Sequence, residues 1–307
     1  MSTIGFDTSN YTTSIAFYDG VSGVNCSRLL PVKEGELGLR QSDAVFHHTK
    51  SLPELSGRLF SNVGLDSVTA IGVSTRPRAV DGSYMPCFTV GYSHAKLLSD
   101  ALHVPLVECS HQQGHVAASL WSAGRLDLMD VPHLAWHLSG GTTELLLVEP
   151  DGKNVSCRRI GGTTDISAGQ LIDRTGQLLK LPFPAGKHLD ALSKDAFGKD
   201  LFRVKCPGME FSLSGVQNKV TAFYEDCQDA AETAGYALRC VCHAVIAATK
   251  NAVKEHPGLP VVFSGGVASN SLLREMAVPL NPIFAQPQFS TDNAMGVAVL
   301  AHRIQEG

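Results

Sequence analysis

The sequence has no Cys-x-x-Cys pair, no long apolar run and no excess of basic charge. Its eight cysteines, Cys26, Cys87, Cys109, Cys157, Cys206, Cys227, Cys240 and Cys242, are scattered, so free thiols in a reducing cytoplasm are expected. No uninterrupted apolar stretch approaches the ~18 residues that a membrane span needs. Met1 to Asp7 lacks a basic segment leading into an apolar one, so neither a signal peptide nor membrane attachment is expected. Lysine and arginine total 25 against 29 aspartates and glutamates, a net charge of −4. No global field therefore attracts nucleic acid, and an RNA substrate would need a local patch or a partner to supply the counter-charge. Low-complexity tracts and long linkers are also missing. What remains is an ordinary globular chain of 307 residues. That length suits two domains of roughly 150 residues each.

Strands and helices alternate along this chain, which points to an α/β architecture. Ile4 to Ser9 and Thr13 to Tyr18 read as two strands of a hairpin, whose loop from Asp7 to Thr12 is rich in hydroxyls. The same figure recurs at His133 to Leu138, the loop Ser139-Gly-Gly-Thr-Thr, and Glu144 to Val148. Two such units suggest an internal duplication. Further strands are expected at Ala70 to Ser74, Val104 to Val107 and Pro260 to Phe263. Helical periodicity marks Thr89 to Leu102, Ser110 to Leu120, Asp165 to Leu179, Asp229 to Lys254 and Asp292 to Ile304.

Several positions carry chemistry. Ser139-Gly140-Gly141-Thr142-Thr143 has no bulky side chain, so its amides could approach a phosphate; it could equally be a plain hairpin turn. Ser264-Gly265-Gly266-Val-Ala-Ser-Asn270 runs from a strand through paired glycines into a helix, a usual seat for an anion. His111 and His115 stand at i and i+4, neighbours on one helical face that suits a divalent transition metal, although two surface histidines would give the same spacing. A metalloprotease helix would carry a glutamate where Gln112 stands, and an amide cannot take a proton, which argues against a peptidase. Asp292 is the best third ligand; as the opening residue of the last helix it would otherwise complement the helix dipole. Asp165 and Asp173 fall on one helical face, to hold ribose hydroxyls or to face solvent. Cys240 and Cys242 point to different sides of a helix and are expected in the core.

In order, Asp7-Thr-Ser, His111-x-x-x-His115, Ser139-Gly-Gly, Asp165-x-x-Ala-Gly-x-x-x-Asp173, Phe211-Ser-Leu-Ser-Gly215, Gly265-Gly-Val-Ala-Ser-Asn270 and Thr291-Asp292-Asn resemble the TsaD family. These are transferase subunits for tRNA threonylcarbamoyladenosine, once called glycoproteases. The resemblance implies a duplicated actin-like (ASKHA) α/β fold with two lobes around a nucleotide cleft. The N-terminal lobe would span 1–130, completed by a helix over 292–307, and the C-terminal lobe 131–291. It implies one divalent ion, iron or zinc, on His111, His115 and Asp292. Nucleotide contacts carry over to Leu138, Ser139, Gly140, Gly141, Thr142, Asp173, Gly186 and Asn270, beside the Gly265-Gly266 turn. Catalytic assistance falls to Asp7 and Thr12. An adenine nucleotide or carbamoyl-adenylate would be substrate, supplied by a separate YrdC/Sua-type enzyme. A TsaB-like partner or a self dimer, and tRNA as one acceptor, complete the implied set.

The departures concentrate elsewhere. Where the family carries an acidic pair in its first hairpin loop, this chain has Tyr11 and Thr12. Thr142 replaces a histidine after Ser139-Gly-Gly, Arg76-Pro-Arg-Ala-Val-Asp-Gly-Ser replaces a Pro-Gly-Leu-Val-Gly stretch, and the acceptor-side Arg-x-His region reads Val45-Phe-His-His. The metal and nucleotide elements are kept while the acceptor-facing part is rewritten. That pattern suits a paralogue moving a carbamoyl group to something other than tRNA, or a non-catalytic nucleotide-binding partner of a TsaD-type subunit. Arg76 and Arg78 near Asp81 would form an anion pocket or a solvated loop.

Overall fold

The computed structural model describes residues 1–31 and 39–306. They divide into two compact units: unit 1 is Met1–Val131, Glu149–Cys157 and Asp292–Gly307, and unit 2 is Pro132–Val148 and Arg158–Thr291.

Unit 1 begins with β1 (Ser2–Thr8) and β2 (Thr12–Tyr18), an antiparallel hairpin with Phe6 opposite Ile15, and β3 (Gly23–Leu29) follows. Helix α1 (Gln41–Phe60) leads to β4 (Val68–Arg76), α2 (Phe88–Leu102), β5 (Leu106–Ser110) and α3 (His111–Ser122). The sheet order is β3-β2-β1-β4-β5, with β1, β4 and β5 mutually parallel. Ile4, Phe6, Ile15, Ile71 and Val73 from the strands pack against Leu52, Leu55 and Leu59 of α1. Those three leucines recur at helical spacing, which gives α1 one apolar stripe to bury.

Unit 2 opens with β6 (His133–Leu138), β7 (Thr143–Asp151) and β8 (Asn154–Thr163), then α4 (Ala168–Leu178) and α5 (Gly186–Leu192). A short β9 (Glu210–Phe211), α6 (Ser214–Cys227), the long α7 (Ala230–Glu255), β10 (Val261–Ser264), α8 (Ser271–Ala277) and β11 (Ile283–Phe284) complete it. Its sheet runs β11-β10-β6-β7-β8-β9. Here β6 pairs antiparallel with β7 and parallel with β10, which pairs parallel with β11. This repeats the arrangement of β2, β1, β4 and β5, so the two hairpins recognised in the sequence anchor two copies of one α/β topology. Trp136 fills the core of unit 2, its Nε1 donating to Thr249 Oγ1 at 2.9 Å. Cys240 and Cys242 are buried in the same core, where the sequence placed them.

The chain ends in α9 (Met295–Gln305), which returns to unit 1 and packs on β1, β4 and α3. Glycines make that packing close. A Cβ on Gly5 of β1 would lie 2.5 Å from the Ala294 carbonyl oxygen, and one on Gly296 would collide with the Gly114 carbonyl of α3. Helices α3 and α9 thus cross almost backbone to backbone, one residue from His115 and a few from Asp292.

Three boundaries differ from the sequence reading. Asp165 was expected inside a helix, yet Ser167 and Gln170 form a capping box that starts α4 at Ala168. Asp292 was expected to open the last helix, which instead begins at Met295 with no acidic residue in its first turn. Residues 149–157, at the end of β7 and the start of β8, belong to unit 1 rather than to an unbroken second lobe. Among the described residues, no helix is long and apolar enough to cross a membrane.

The Gly114–Gly296 crossing predicts that Gly296→Ala forces the two helices apart and lowers stability by about 1–3 kcal/mol. Thermal melting followed by circular dichroism checks this; an unchanged midpoint would contradict the close crossing.

Candidate functional site

Helix α3 begins where Ser110 accepts from the Gln113 amide at 3.2 Å and the Gln113 side chain returns to the Ser110 amide at 2.8 Å. This capping box fixes the first turn and therefore the direction of His111. One turn later His115 brings its ring edge-on to the first, centroids 4.4 Å apart. His111 Nε2 and His115 Nε2 are separated by 3.0 Å, and Asp292 Oδ1 lies 3.1 Å from His115 Nε2 and 3.6 Å from His111 Nε2. Donors ~2.1 Å from one ion stand about 3.0 to 3.4 Å apart in octahedral or tetrahedral geometry, so these three atoms have the spacing of a ligand set. Two nitrogens and one oxygen could hold a metal ion here.

Further residues aim the donors. His111 Nδ1 donates to Asp7 Oδ1 at 2.9 Å, and Ser74 Oγ donates to the same oxygen. With the Nδ1 proton committed to Asp7, Nε2 is the His111 nitrogen that faces the other donors and would offer a lone pair to an ion once deprotonated. Ser9 Oγ donates to Asp292 Oδ2 at 3.1 Å, which turns Oδ1 toward the histidines. Asp7 is fully buried, and its Oδ2 finds no hydrogen-bond partner among the described residues.

Burial alone would depress the His111 imidazole, but the Asp7 and Asp292 carboxylates outweigh it and push its pKa up to about 10. Burial would raise the Asp292 carboxyl, yet hydrogen bonds from His111 and His115, and their charge, hold it well below the usual range. The metal-free cluster therefore keeps a proton at neutral pH that a cation must displace.

In unit 2 the turn after β6 is closed by the Ser139 amide donating to Thr142 O at 2.8 Å and the Thr142 amide donating to Ser139 Oγ at 3.0 Å. Helix α4 comes up beneath it: Ser167 Oγ donates to Gly140 O at 2.5 Å, and the Ala168 amide donates to Thr143 Oγ1 at 2.8 Å. A Cβ on Gly169 would lie 2.5 Å from the Gly140 Cα, so only glycine lets the helix start so close to the turn. The second turn follows β10, with Ser264 beside His137 in the parallel pairing. Gly265 has φ +92°, a left-handed backbone that favours glycine, and any Cβ there would strike the Leu138 backbone. Both turns thus leave neighbouring parallel strands side by side, at their carboxyl ends.

Asp173, Asn270 and Asp165 are each engaged by neighbouring elements. Asp173 accepts from the Ala185 amide at 2.8 Å, just ahead of Gly186 at the start of α5, and burial raises its pKa. Asn270 caps α8 by accepting from the Leu273 amide at 3.0 Å, while its Nδ2 donates to Asp190 Oδ1 at 2.6 Å. Asp165 does not share a helical face with Asp173. It clamps the Phe211 to Gly215 turn, accepting from the Leu213 amide at 2.8 Å and Ser214 Oγ at 2.6 Å. Thr12 is buried at the start of β2 opposite Leu29, outside the network that ties Asp7, Ser9, His111, His115 and Asp292. His48, in the rewritten acceptor region, is buried against Thr13 Oγ1 at 2.8 Å. Arg76, Arg78 and Asp81 are exposed.

A family model described as TsaD, tRNA N6-adenosine threonylcarbamoyltransferase, matches residues 36–299. This chain belongs to the TsaD family. A relative from Carboxydothermus hydrogenoformans named tRNA N6-adenosine threonylcarbamoyltransferase is 32% identical over 275 residues, covering 85% of this chain and 78% of its own. One of the same name from Thermosipho africanus is 30% identical over 99% of this chain and 94% of its own. Among solved structures, full-length HypF in its phosphate- and nucleotide-bound form superposes with a TM-score of 0.61 at 14% identity over 100% of this chain. The chain spans 47% of that HypF chain. A ROK hexokinase from Thermus thermophilus gives 0.55 at 15% identity, with both chains fully covered. At these identities the structures attest the duplicated actin-like fold alone.

Within the TsaD family match, sequence reading named the three donor residues but missed Ser9, Ser74 and Asp190. Ser9 stands in the Asp7-Thr-Ser motif itself; Ser74 and Asp190 carried no local signal.

Asp7→Asn weakens metal binding about 10–100-fold while leaving the fold intact, as loss of a carboxylate behind a ligating histidine does. Titration with zinc followed by calorimetry checks it, and an unchanged affinity would contradict the arrangement. Because the His111 pKa is raised above its unfolded value, its contribution to apo stability is full below about pH 6.5 and is lost as pH rises through about 10. Metal affinity runs the opposite way, climbing across that window with release of about one proton per ion; pH-dependent melting and proton-release calorimetry test both signs.

Proposed function

We propose that this chain is a metal-dependent transferase that moves a threonylcarbamoyl or simpler carbamoyl group from its adenylate to an acceptor amine, the adenosine of tRNA being the acceptor that family membership favours. The observation that carries the reading is the convergence of His111, His115 and Asp292 in a chain of this family. A divalent ion held by those residues, iron or zinc, would supply Lewis-acid polarisation of the transferred carbonyl. Asp7 keeps the His111 tautomer and Ser9 keeps the Asp292 rotamer that such an ion requires.

Unit 2 supplies the nucleotide side of this reading. The Gly140 and Gly141 amides, at the tip of the turn that Leu138, Ser139 and Thr142 close, and the Gly265-Gly266 turn would face the phosphate, since neither glycine pair carries a side chain to exclude it. Asp173 and Gly186 would meet the ribose, and Asn270, held by Asp190, would orient the nucleotide further. In the transfer, the acceptor nitrogen bonds to the carbamoyl carbon, the bond from that carbon to the phosphate oxygen breaks, AMP leaves and the nitrogen gives up a proton. Positions 11 and 12 hold no carboxylate to take that proton. The adenylate would come from a separate YrdC/Sua-type enzyme in the same cytoplasm, and a TsaB-like subunit or second copy would be the protein partner.

The same missing carboxylates favour one rival, a nucleotide-binding subunit that pairs with an active TsaD-type chain. A peptidase is disfavoured because Gln112 is buried and its amide cannot act as a base.

Purified chain given zinc or iron, threonylcarbamoyl-adenylate, unmodified tRNA and a TsaB-like subunit releases AMP and modified nucleoside, read by mass spectrometry; AMP release that ignores His111→Ala, or no turnover in this mixture, would contradict the enzyme reading. Restoring an acidic pair with Tyr11→Asp and Thr12→Glu raises transfer to tRNA up to ~10²-fold. No gain would show that the proton leaves by another route.

A further inference from the structure

The net negative charge leaves open how this chain would hold an RNA acceptor, and one segment of unit 2 answers that need. Residues 197–208 form no regular element; they run as a strap along α7. The Phe197 and Gly198 amides donate to Glu232 Oε1 at 2.7 and 3.0 Å, near the start of the helix. Arg239 Nε donates to Asp200 O at 2.9 Å, and the Phe202 amide donates to Cys240 Sγ at 3.1 Å. Asn251 Nδ2 reaches Cys206 O at 3.4 Å, near its end. These contacts tie the strap to α7 at several points between residues 197 and 206.

Leu201, Val204 and Cys206 pack inward on the core of unit 2. Phe197, Lys199, Asp200, Phe202, Arg203 and Lys205 are exposed. Phe197 is 92% exposed and Phe202 39%, an unusual placement for two large aromatics. Asp200 is the single acidic residue in the strap. Lys219 of α6 places its Nζ 5.9 Å from the centre of the Phe202 ring, and Lys250 of α7 is also exposed. The His243 imidazole is held below its ordinary value by burial and then by the charges of Arg203 and Lys250, so these cations act on one neighbourhood.

Bare aromatic rings set among fixed cations are the chemistry that single-stranded nucleic acid needs, rings for base faces and cations for phosphates. We propose that the strap Phe197–Gly208, with Lys219 and Lys250, is an RNA-binding surface that takes an unpaired stretch of the acceptor, stacking bases on Phe197 and Phe202 and pairing phosphates with Lys199, Arg203 and Lys205. This rests on the acceptor being RNA, as proposed above. An acidic protein would use the cations but has no need of the two exposed rings.

The test uses the full-length chain and a fluorescein-labelled RNA stem-loop, read by anisotropy across a salt series, with a fully paired RNA and poly-glutamate as comparison probes. Phe197→Ala with Phe202→Ala weakens stem-loop binding about ten-fold or more and leaves the salt slope unchanged. Lys199→Gln, Arg203→Gln and Lys205→Gln together weaken binding of every RNA and reduce the salt slope by about 2. Circular dichroism melts and zinc stoichiometry matching the wild type show that the variants remain folded. If the wild type binds the stem-loop and both variants bind it equally well, the strap assignment is overturned while the RNA-acceptor reading survives. If the aromatic variant is silent and only poly-glutamate binding is lost, the surface docks an acidic protein and the proposal falls. A wild type that binds no RNA overturns the acceptor reading itself.

Discussion

The hydrogen bond from His111 Nδ1 to the buried Asp7 carboxylate decides what the rest of unit 1 can do. A neutral imidazole keeps one proton and one lone pair, and the partner of the first nitrogen decides where the second one points. Asp7 sits inside a central strand, held by Ser74 from the neighbouring strand, so its position is set by the sheet rather than by the loop that follows. The capping box that starts α3 then delivers His111 to that carboxylate, helical spacing delivers His115, and the close crossing of α3 with α9 brings Asp292 to both. Each step is a backbone constraint, which is why the three donor atoms converge without long, flexible side chains.

Half of this was legible in the sequence, and the reason lies in range. His111 and His115 are four residues apart and follow a Ser-x-x-Gln start signal, so spacing and capping are local facts that any reader of the chain can use. The partners that orient them are not local. Asp7 lies 104 residues from His111, and Ser9 lies 283 from Asp292, distances that no periodicity bridges. Asp292 was legible as the third ligand, but the last helix was started at it, three residues before Met295, because an acidic residue just ahead of an apolar run matches a first-turn signal. Asp165 failed for the opposite reason: it matches helical periodicity, but Ser167 with Gln170 outcompetes it for the cap. Helix α1, interrupted by Pro53, escaped the periodicity reading altogether.

The duplicated topology gives the same hairpin twice with different loops. In unit 1 the strand ends in a carboxylate that serves a histidine; in unit 2 it ends in glycines pressed against the start of α4 and the backbone of the neighbouring turn. The two hairpins were recognisable in the sequence as strand, small polar turn, strand, since that pattern is local too. Which loop met which helix was not, because Gly169 and Gly265 are spaced from Gly140 and Leu138 by whole elements. The strap along α7 was equally invisible: an irregular segment tied down by side chains of a later helix has no period of its own.

The account stands on an ion held by two imidazoles and a carboxylate, and X-ray absorption at the edge of whichever metal copurifies addresses it directly. The result predicted is about one divalent transition ion per chain, with nitrogen and oxygen neighbours at ~2.0–2.2 Å and at least two imidazole scattering patterns. A chain that retains no ion, or one whose ion is ligated by cysteine sulfur at ~2.3 Å, would contradict it.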